Sequence, residues 1–211
     1  QIAKEFNGQI IGGAGSKFVK VGAGTLTLSN INGNKPNTLE TLEVARGVLA
    51  AWVNDNSYGT PDANVSAIPS TTTIVLRGGQ FTALAIGDST SNQQRIRIGN
   101  NVVHQGGDSI GQTNLATGGG SNKLLTFGTL SLDVQPLLFN NGSTFIPRFD
   151  GTVTLTNHAR VQTDSPAVFA GVISDGGNGY TLNKIGSSDL SIASDSSTTW
   201  SGGVVVTGGT L

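Results

Sequence analysis

The sequence predicts an all-β fold, and three observations predict it. Apolar and polar residues alternate with period 2 through many short segments. Glycine-rich corners separate those segments. Blocks near the N-terminus also recur, in the same order, near the C-terminus. On alternation and corners alone, strands this short and this regularly spaced fit a sandwich, a barrel or a coiled β-solenoid.

Taken in order, the alternation predicts strands at Phe18–Val21, Thr25–Leu28, Thr72–Leu76, Phe81–Ile86, Arg95–Ile98, Leu124–Leu132, Gly151–Thr156, Tyr180–Ile185, Leu190–Ile192 and Val204–Val206. Between them lie corners such as Gly12-Gly13-Ala14-Gly15, Arg77-Gly78-Gly79, Gly118-Gly119-Gly120 and Ser174-Asp175-Gly176-Gly177. Glycine supplies the positive φ that a tight corner needs. One segment, Asn37 to Ala51, reads NTLETLEVARGVLAA and is rich in helix formers. Asn37 and Glu40 there have the spacing of a capping box. Leu42 and Val44 alternate equally well as a strand.

Composition narrows the class. Of 211 residues, 36% are hydrophobic and only 12% charged, so neither a charge-rich disordered tail nor a collagen-like repeat fits. A net charge of −1 gives no basic face for nucleic acid or an anionic membrane. The chain lacks Cys, which excludes disulfide frameworks, thiolate metal sites and a cysteine nucleophile. No apolar run approaches the roughly 20 residues of a membrane helix, and there is no signal-peptide pattern. The start at Gln1, without Met, leads us to expect an excerpt or a processed product.

The internal repeat decides the ambiguous segment. Phe6-Asn-Gly-Gln-Ile10 matches Phe169-Ala-Gly-Val-Ile173, and Lys20-Val-Gly-Ala-Gly-Thr-Leu-Thr-Leu28 matches Lys184-Ile-Gly-Ser-Ser-Asp-Leu-Ser-Ile192. Leu42-Glu-Val-Ala-Arg-Gly-Val-Leu49 matches Val204-Val-Val-Thr-Gly-Gly-Thr-Leu211. The second copy of this last block is Val- and Gly-rich, which a helix does not tolerate. The first copy is therefore expected to be strand and corner too.

These blocks, ending in Thr199-Trp-Ser-Gly-Gly-Val-Val-Val-Thr-Gly-Gly-Thr-Leu211, resemble the autotransporter-associated β-strand repeat. The resemblance covers about 6–49 and 151–211; residues 52–150 match only in style. It implies a right-handed parallel β-helix in a secreted, surface-displayed bacterial protein, and no particular activity. It further implies one β-solenoid domain over 1–211, with a less regular, loop-bearing middle at 52–150. Rungs of about 20 to 25 residues would give roughly nine rungs and an axial length near 40 Å. The narrow core is expected to fill with Val, Ile, Leu and Thr, large aromatics being rarely needed, and Leu26 and Leu190 are expected to face inward. The run Gly47-Val-Leu-Ala-Ala51 continues where Leu211 stops, and Gln1-Ile-Ala3 would supply such a continuation. The end of one copy is thus expected to meet the start of another, in a tandem array or a filament.

Chemical motifs are weak. Gly107-Asp-Ser-Ile-Gly111 matches G-x-S-x-G, and Ile86-Gly-Asp-Ser-Thr90 resembles the nucleophile block of GDSL-type esterases. A serine hydrolase needs a His base oriented by an acid. Only His104 and His158 are present, neither with an Asp-x-x-His block, so Ser89 and Ser109 are not expected to be nucleophiles. Asp55, Asp62, Asp88, Asp108, Asp133 and Asp150 form no dense cluster of the kind that glycosidase or lyase chemistry requires. Asn54-Asp-Asn-Ser-Tyr-Gly59 fails as an EF-hand, because Tyr58 and Val65 stand at ligand positions; incidental Ca²⁺ is the most it offers. Arg77, Arg95 and Arg97 could form a small basic stripe. Trp52, Tyr58 and Trp200 are read as packing residues rather than sugar platforms.

The sequence therefore predicts no catalytic, cofactor-binding or metal residues. Its expected role is a structural module of a bacterial extracellular or cell-surface protein: a fibre, a stalk or an adhesin passenger segment. The expected partners are copies of itself and a glycan or host surface. The alternatives are a glycan- or receptor-binding adhesin module and a β-helical polysaccharide-cleaving enzyme.

Overall fold

The computed structural model describes residues 4–29, 37–55, 64–86, 95–106, 109–114, 123–140 and 145–211. Among the described residues there is no helix, and the strands form three sheets in which all pairings but one are parallel. The first sheet runs in the order Lys4–Phe6, Thr25–Leu28, Gly47–Asp55, Gly79–Ile86, Ser109–Asn114, Pro136–Phe139, Ala159–Thr163, Leu182–Ile185, Val204–Val206. Asn64–Ser66 adds to it as an antiparallel hairpin arm on Gly47–Asp55. The second sheet contains Lys17–Lys20, Thr41–Val44, Thr73–Leu76, Val102–His104, Leu130–Leu132, Val153–Leu155 and Ile173–Ser174. The third contains Arg95–Arg97, Lys123–Phe127, Phe145–Phe149, Ala167–Phe169 and Leu190–Ile192.

From Thr73 to Ile192 the chain visits the second, first and third sheets in strict rotation. Each strand lies beside the one that follows a full rotation later. Paired residues are separated by 20 positions at Val153 and Ile173 and by 32 at Thr41 and Thr73. The longer separations fall in the first two thirds of the chain, where insertions lie between strands.

All ten strands that alternation predicts are present, with Leu124–Leu132 divided by a corner at Gly128 into two strands in different sheets. Segments with weaker alternation are strands as well. Phe145–Phe149 contains Pro147, which cannot donate to a ladder. Its pairing with Ala167–Phe169 begins only at Arg148, so no hydrogen bond is forfeited on that side.

The ambiguous segment is strand and corner, as the repeat requires: Thr41–Val44 and Gly47–Asp55 lie in different sheets. Asn37 is therefore not a helix cap. It is buried and ties together three passes of the chain, accepting from the Ile10 N–H at 2.6 Å and donating to the Ala67 carbonyl at 2.6 Å. Glu40, its supposed capping partner, instead accepts from the Gly15 N–H.

The core corrects the expectation about aromatics. Phe81, Phe127, Phe139, Phe149 and Phe169 are all buried and in mutual contact. Phe127, Phe149 and Phe169 are register partners in the third sheet, with ring centroids 5.0 and 6.1 Å apart. Parallel pairing places equivalent residues above one another, so one inward Phe position becomes a column. Leu190 is fully buried as expected, whereas Leu26 is only partly buried.

Candidate functional site

The two repeat copies share one construction at a corner. Lys20 and Lys184 open equivalent blocks of sequence, and both side chains turn inward and are buried. The Lys20 ammonium donates to the carbonyls of Val21, Gly22 and Arg46 at 3.1, 2.7 and 3.1 Å. The Lys184 ammonium donates to those of Ile185, Gly186 and Gly208 at 3.4, 3.2 and 2.6 Å. In each case two acceptors lie on the Lys's own corner and the third on the next pass, at matched positions of the repeat. Burial lowers both ammonium pKa values, with the Asp189 carboxylate opposing this at Lys184.

Glycine makes the enclosure possible. Gly47 and Gly209 adopt φ of 75° and 66°. A Cβ on Gly47 would meet the Gly22 and Gly24 oxygens, and one on Gly209 the Gly186 and Ser188 oxygens. These are equivalent atoms in the two copies. The Lys-x-Gly motif is thus an internal clamp between successive passes. Lys184→Met is expected to leave three carbonyls without their donor and to destabilise the C-terminal copy by about 2–3 kcal/mol. Hydrogen exchange should show the loss across residues 182–209; unchanged protection there would refute the clamp.

The copies are not superposed on the same sheets. The matched strands run through the second, first and second sheets in the first copy, and through the first, third and first in the second. What repeats is the chemistry of the corner, not the identity of the sheet.

A second built corner surrounds Asp175, which is fully buried. Its carboxylate accepts from the Ser201 hydroxyl at 2.9 Å and from the N–H groups of Gly177, Tyr180 and Ser201 at 2.9, 3.1 and 3.3 Å. Burial alone would raise its pKa; the Ser201 hydroxyl and the main-chain amides outweigh that and hold it down to about 2. Three main-chain N–H groups and one hydroxyl of the protein itself take up the carboxylate, so Asp175 organises a turn. Asp195 is likewise held down by Ser197, whose N–H donates to it at 2.9 Å.

Among the described residues, the sequence-predicted chemical residues are not assembled. Ser89, Asp62, Asp88, Asp108 and Tyr58 lie outside the described residues, as does most of Asn54 to Gly59. Ser109 begins a strand of the first sheet, not a strand-to-helix elbow. His104 is buried and neither ring nitrogen has a hydrogen-bond partner. Its neighbours in the ladder are apolar, with Leu76 opposite it. Burial pushes its pKa down to about 4, and the backbone at Gly106 and Pro136 and the Asp133 charge oppose this only in part. His158 is exposed, and its Nδ1 accepts from the Thr181 N–H at 3.1 Å. Among the described residues, no three His, Asp or Glu side chains converge to hold a metal ion.

Among the described side chains, Arg77 and Arg97 lie on different sheets. Arg77 follows the second sheet and faces Glu43, which also pairs with Lys17 at 2.5 Å. Arg97 belongs to the third sheet, where Asp150 lies 3.9 Å from it and 2.6 Å from Arg148. Glu43 and Asp150 are each shared by two cations.

One grouping was not legible in the sequence. His158, Tyr180 and Trp200 lie on three successive passes of the chain at one corner. The His158 and Tyr180 rings meet edge to face at 5.6 Å, and the Trp200 indole N–H donates to the Tyr180 carbonyl at 2.7 Å. Tyr180 and Trp200 also pack against the core. The roughly 20-residue spacing that joins them is visible only once the pairing register is known. No family model matches the chain, and no curated protein or solved structure does so either.

Proposed function

We propose that the three parallel sheets wrap into a right-handed parallel β-helix, and that the chain is a structural module of a bacterial extracellular or cell-surface protein. In this reading it works as a fibre, stalk or passenger segment and meets copies of itself end to end. One observation carries the reading: the first sheet's ladder runs through nine strands, from Lys4–Phe6 to Val204–Val206, without a break. The rotation among three sheets supports a coil. The corners consume their own polar groups, through Asn37, Lys20, Lys184 and Asp175, rather than directing them outward. The bacterial surface setting rests on the resemblance of the Lys-x-Gly and Gly-Gly-x-x-Val-x-x-Gly-Thr-Leu blocks to the autotransporter-associated repeat.

Nine strands at ~4.8 Å give an axis of about 40 Å. Circular dichroism should show strand without helix. A spectrum dominated by helix would reject the coil. A second reading, a glycan-binding module, is favoured by the His158, Tyr180 and Trp200 corner, where aromatic faces and polar groups occur together. Binding to a glycan array that is lost in Trp200→Ala, with the circular dichroism spectrum retained, would establish it.

A further inference from the structure

We propose that the two edges of the first sheet pair with each other between copies of this chain, Val204–Val206 of one copy against Lys4–Phe6 of the next, giving an open head-to-tail filament. The inference rests on the coil reading and specifies its partner, its edges and its register.

In a parallel ladder, alternate residues direct both their N–H and C=O to one neighbouring strand and the intervening residues direct theirs to the other. Leu182 N–H donates to Gly203 C=O and Thr207 N–H to Lys184 C=O, so residues 203, 205 and 207 bond inward. Val204 and Val206 therefore point their main-chain groups at the open edge. At the other end, Ser29 N–H donates to Phe6 C=O, so Lys4 and Phe6 bond inward and Glu5 points outward. Glu5 N–H can then meet Val204 C=O, and Val206 N–H can meet Glu5 C=O, with Glu5 opposite Val205. This is the pattern every internal pair of the sheet already uses.

Three further observations fit this partner. In a parallel sheet the two edges are complementary rather than identical, so the contact is heterologous and does not close on itself. Apolar side chains are exposed at both ends: Phe6 and Ile11 at one, Val205, Val206 and Leu211 at the other. Ile11 lies six residues after Glu5 and Leu211 six after Val205, so the proposed register sets these two, 77% and 51% exposed, near each other. Charge is complementary as well. Residues 1–49 carry five Lys/Arg and three Asp/Glu, whereas residues 151–211 carry two and four, giving net charges of +2 and −2.

The repeat shows what such edges do when a neighbour is present. Thr41–Val44, the counterpart of the Val204 strand, is covered by Thr73–Leu76. Ala167–Phe169, the counterpart of Lys4–Phe6, is backed by Phe145–Phe149. Where the chain can supply a parallel strand to these edges, it does.

The test uses two blocked chains. Glu5→Pro removes the outward N–H at one edge and Val206→Pro removes it at the other, and neither residue donates to the internal ladder. Sedimentation of the unaltered chain should show mass rising with concentration, falling back as salt increases. Each variant alone should sediment as monomer, because every contact would then involve a blocked edge. An equimolar mixture should form a 1:1 dimer through the two intact edges and grow no further. Circular dichroism must match the parent for both variants; if one variant misfolds, growth and salt dependence of the unaltered chain decide alone. An unaltered chain that stays monomeric at every concentration, or variants that assemble like the parent, would overturn the edge pairing. A circular dichroism spectrum of strand without helix would, in that event, leave the structural-module reading standing, whereas a helical spectrum would remove both.

Discussion

Phe149→Ala is expected to lower unfolding free energy by about 3–5 kcal/mol, the largest single effect we anticipate. Phe149 is fully buried and contacts Phe127, Phe139 and Phe169, the first by stacking at 5.0 Å. Its ring occupies the middle of the column, so truncation opens a void that neighbours on both adjacent passes would have to fill. Those neighbours are held in register by the Lys123–Phe127 and Ala167–Phe169 ladders and cannot collapse inward freely. Against a typical total of roughly 5–15 kcal/mol, such a loss is large. It also falls at the junction between the middle of the chain and the C-terminal copy. Urea unfolding of the variant should therefore show a lower midpoint and, because stability in stacked strands is a sum of neighbouring contacts, a broader or divided transition. A midpoint within experimental scatter of the parent would show that the Phe column is not the centre of the core.

Why the column was not legible follows from the same geometry. Period-2 alternation gives the direction of a side chain relative to its own strand, and on that basis Thr25–Leu28 and Leu190–Ile192 could be placed. It does not give the partner strand. Phe127, Phe149 and Phe169 are spaced 22 and 20 residues apart, and only the register turns those spacings into contacts. The His158, Tyr180 and Trp200 corner was hidden for the same reason. By contrast, the repeated Lys-x-Gly blocks were visible in sequence, although their chemistry was not. A Lys that alternates like an outward residue was found buried, because three carbonyls at the corner supply the acceptors its ammonium needs. The helix-like composition of Asn37 to Ala51 was overridden by pairing on both sides, with Thr41–Val44 between Lys17–Lys20 and Thr73–Leu76.

The second large effect concerns His104 and acid. In the unfolded chain its imidazole takes up a proton near the ordinary pKa of 6.5, while in the fold burial delays this to about 4. Between those values the unfolded state binds more protons than the native state, so stability rises with pH. The sign is thus fixed: stability is complete above about pH 6.5, declines as pH falls towards 4, and declines no further on this account below that. A displacement of that size corresponds to about 3 kcal/mol. His104→Leu should remove the decline, because Leu matches its ladder neighbour Leu76 and leaves no ring nitrogen unpartnered. It should also raise stability at neutral pH, since two buried polar atoms without hydrogen bonds are replaced by apolar surface. Carboxylates of the unfolded chain also take up protons in acid, so the informative quantity is the difference between parent and variant. Urea midpoints of both proteins at intervals from pH 7.5 to 3.5 supply it. A difference that grows steadily below pH 6.5 would identify His104 as the acid-sensitive point of the second sheet. A constant difference would mean that the ring reaches solvent or a partner on protonation, and that its burial imposes no such penalty.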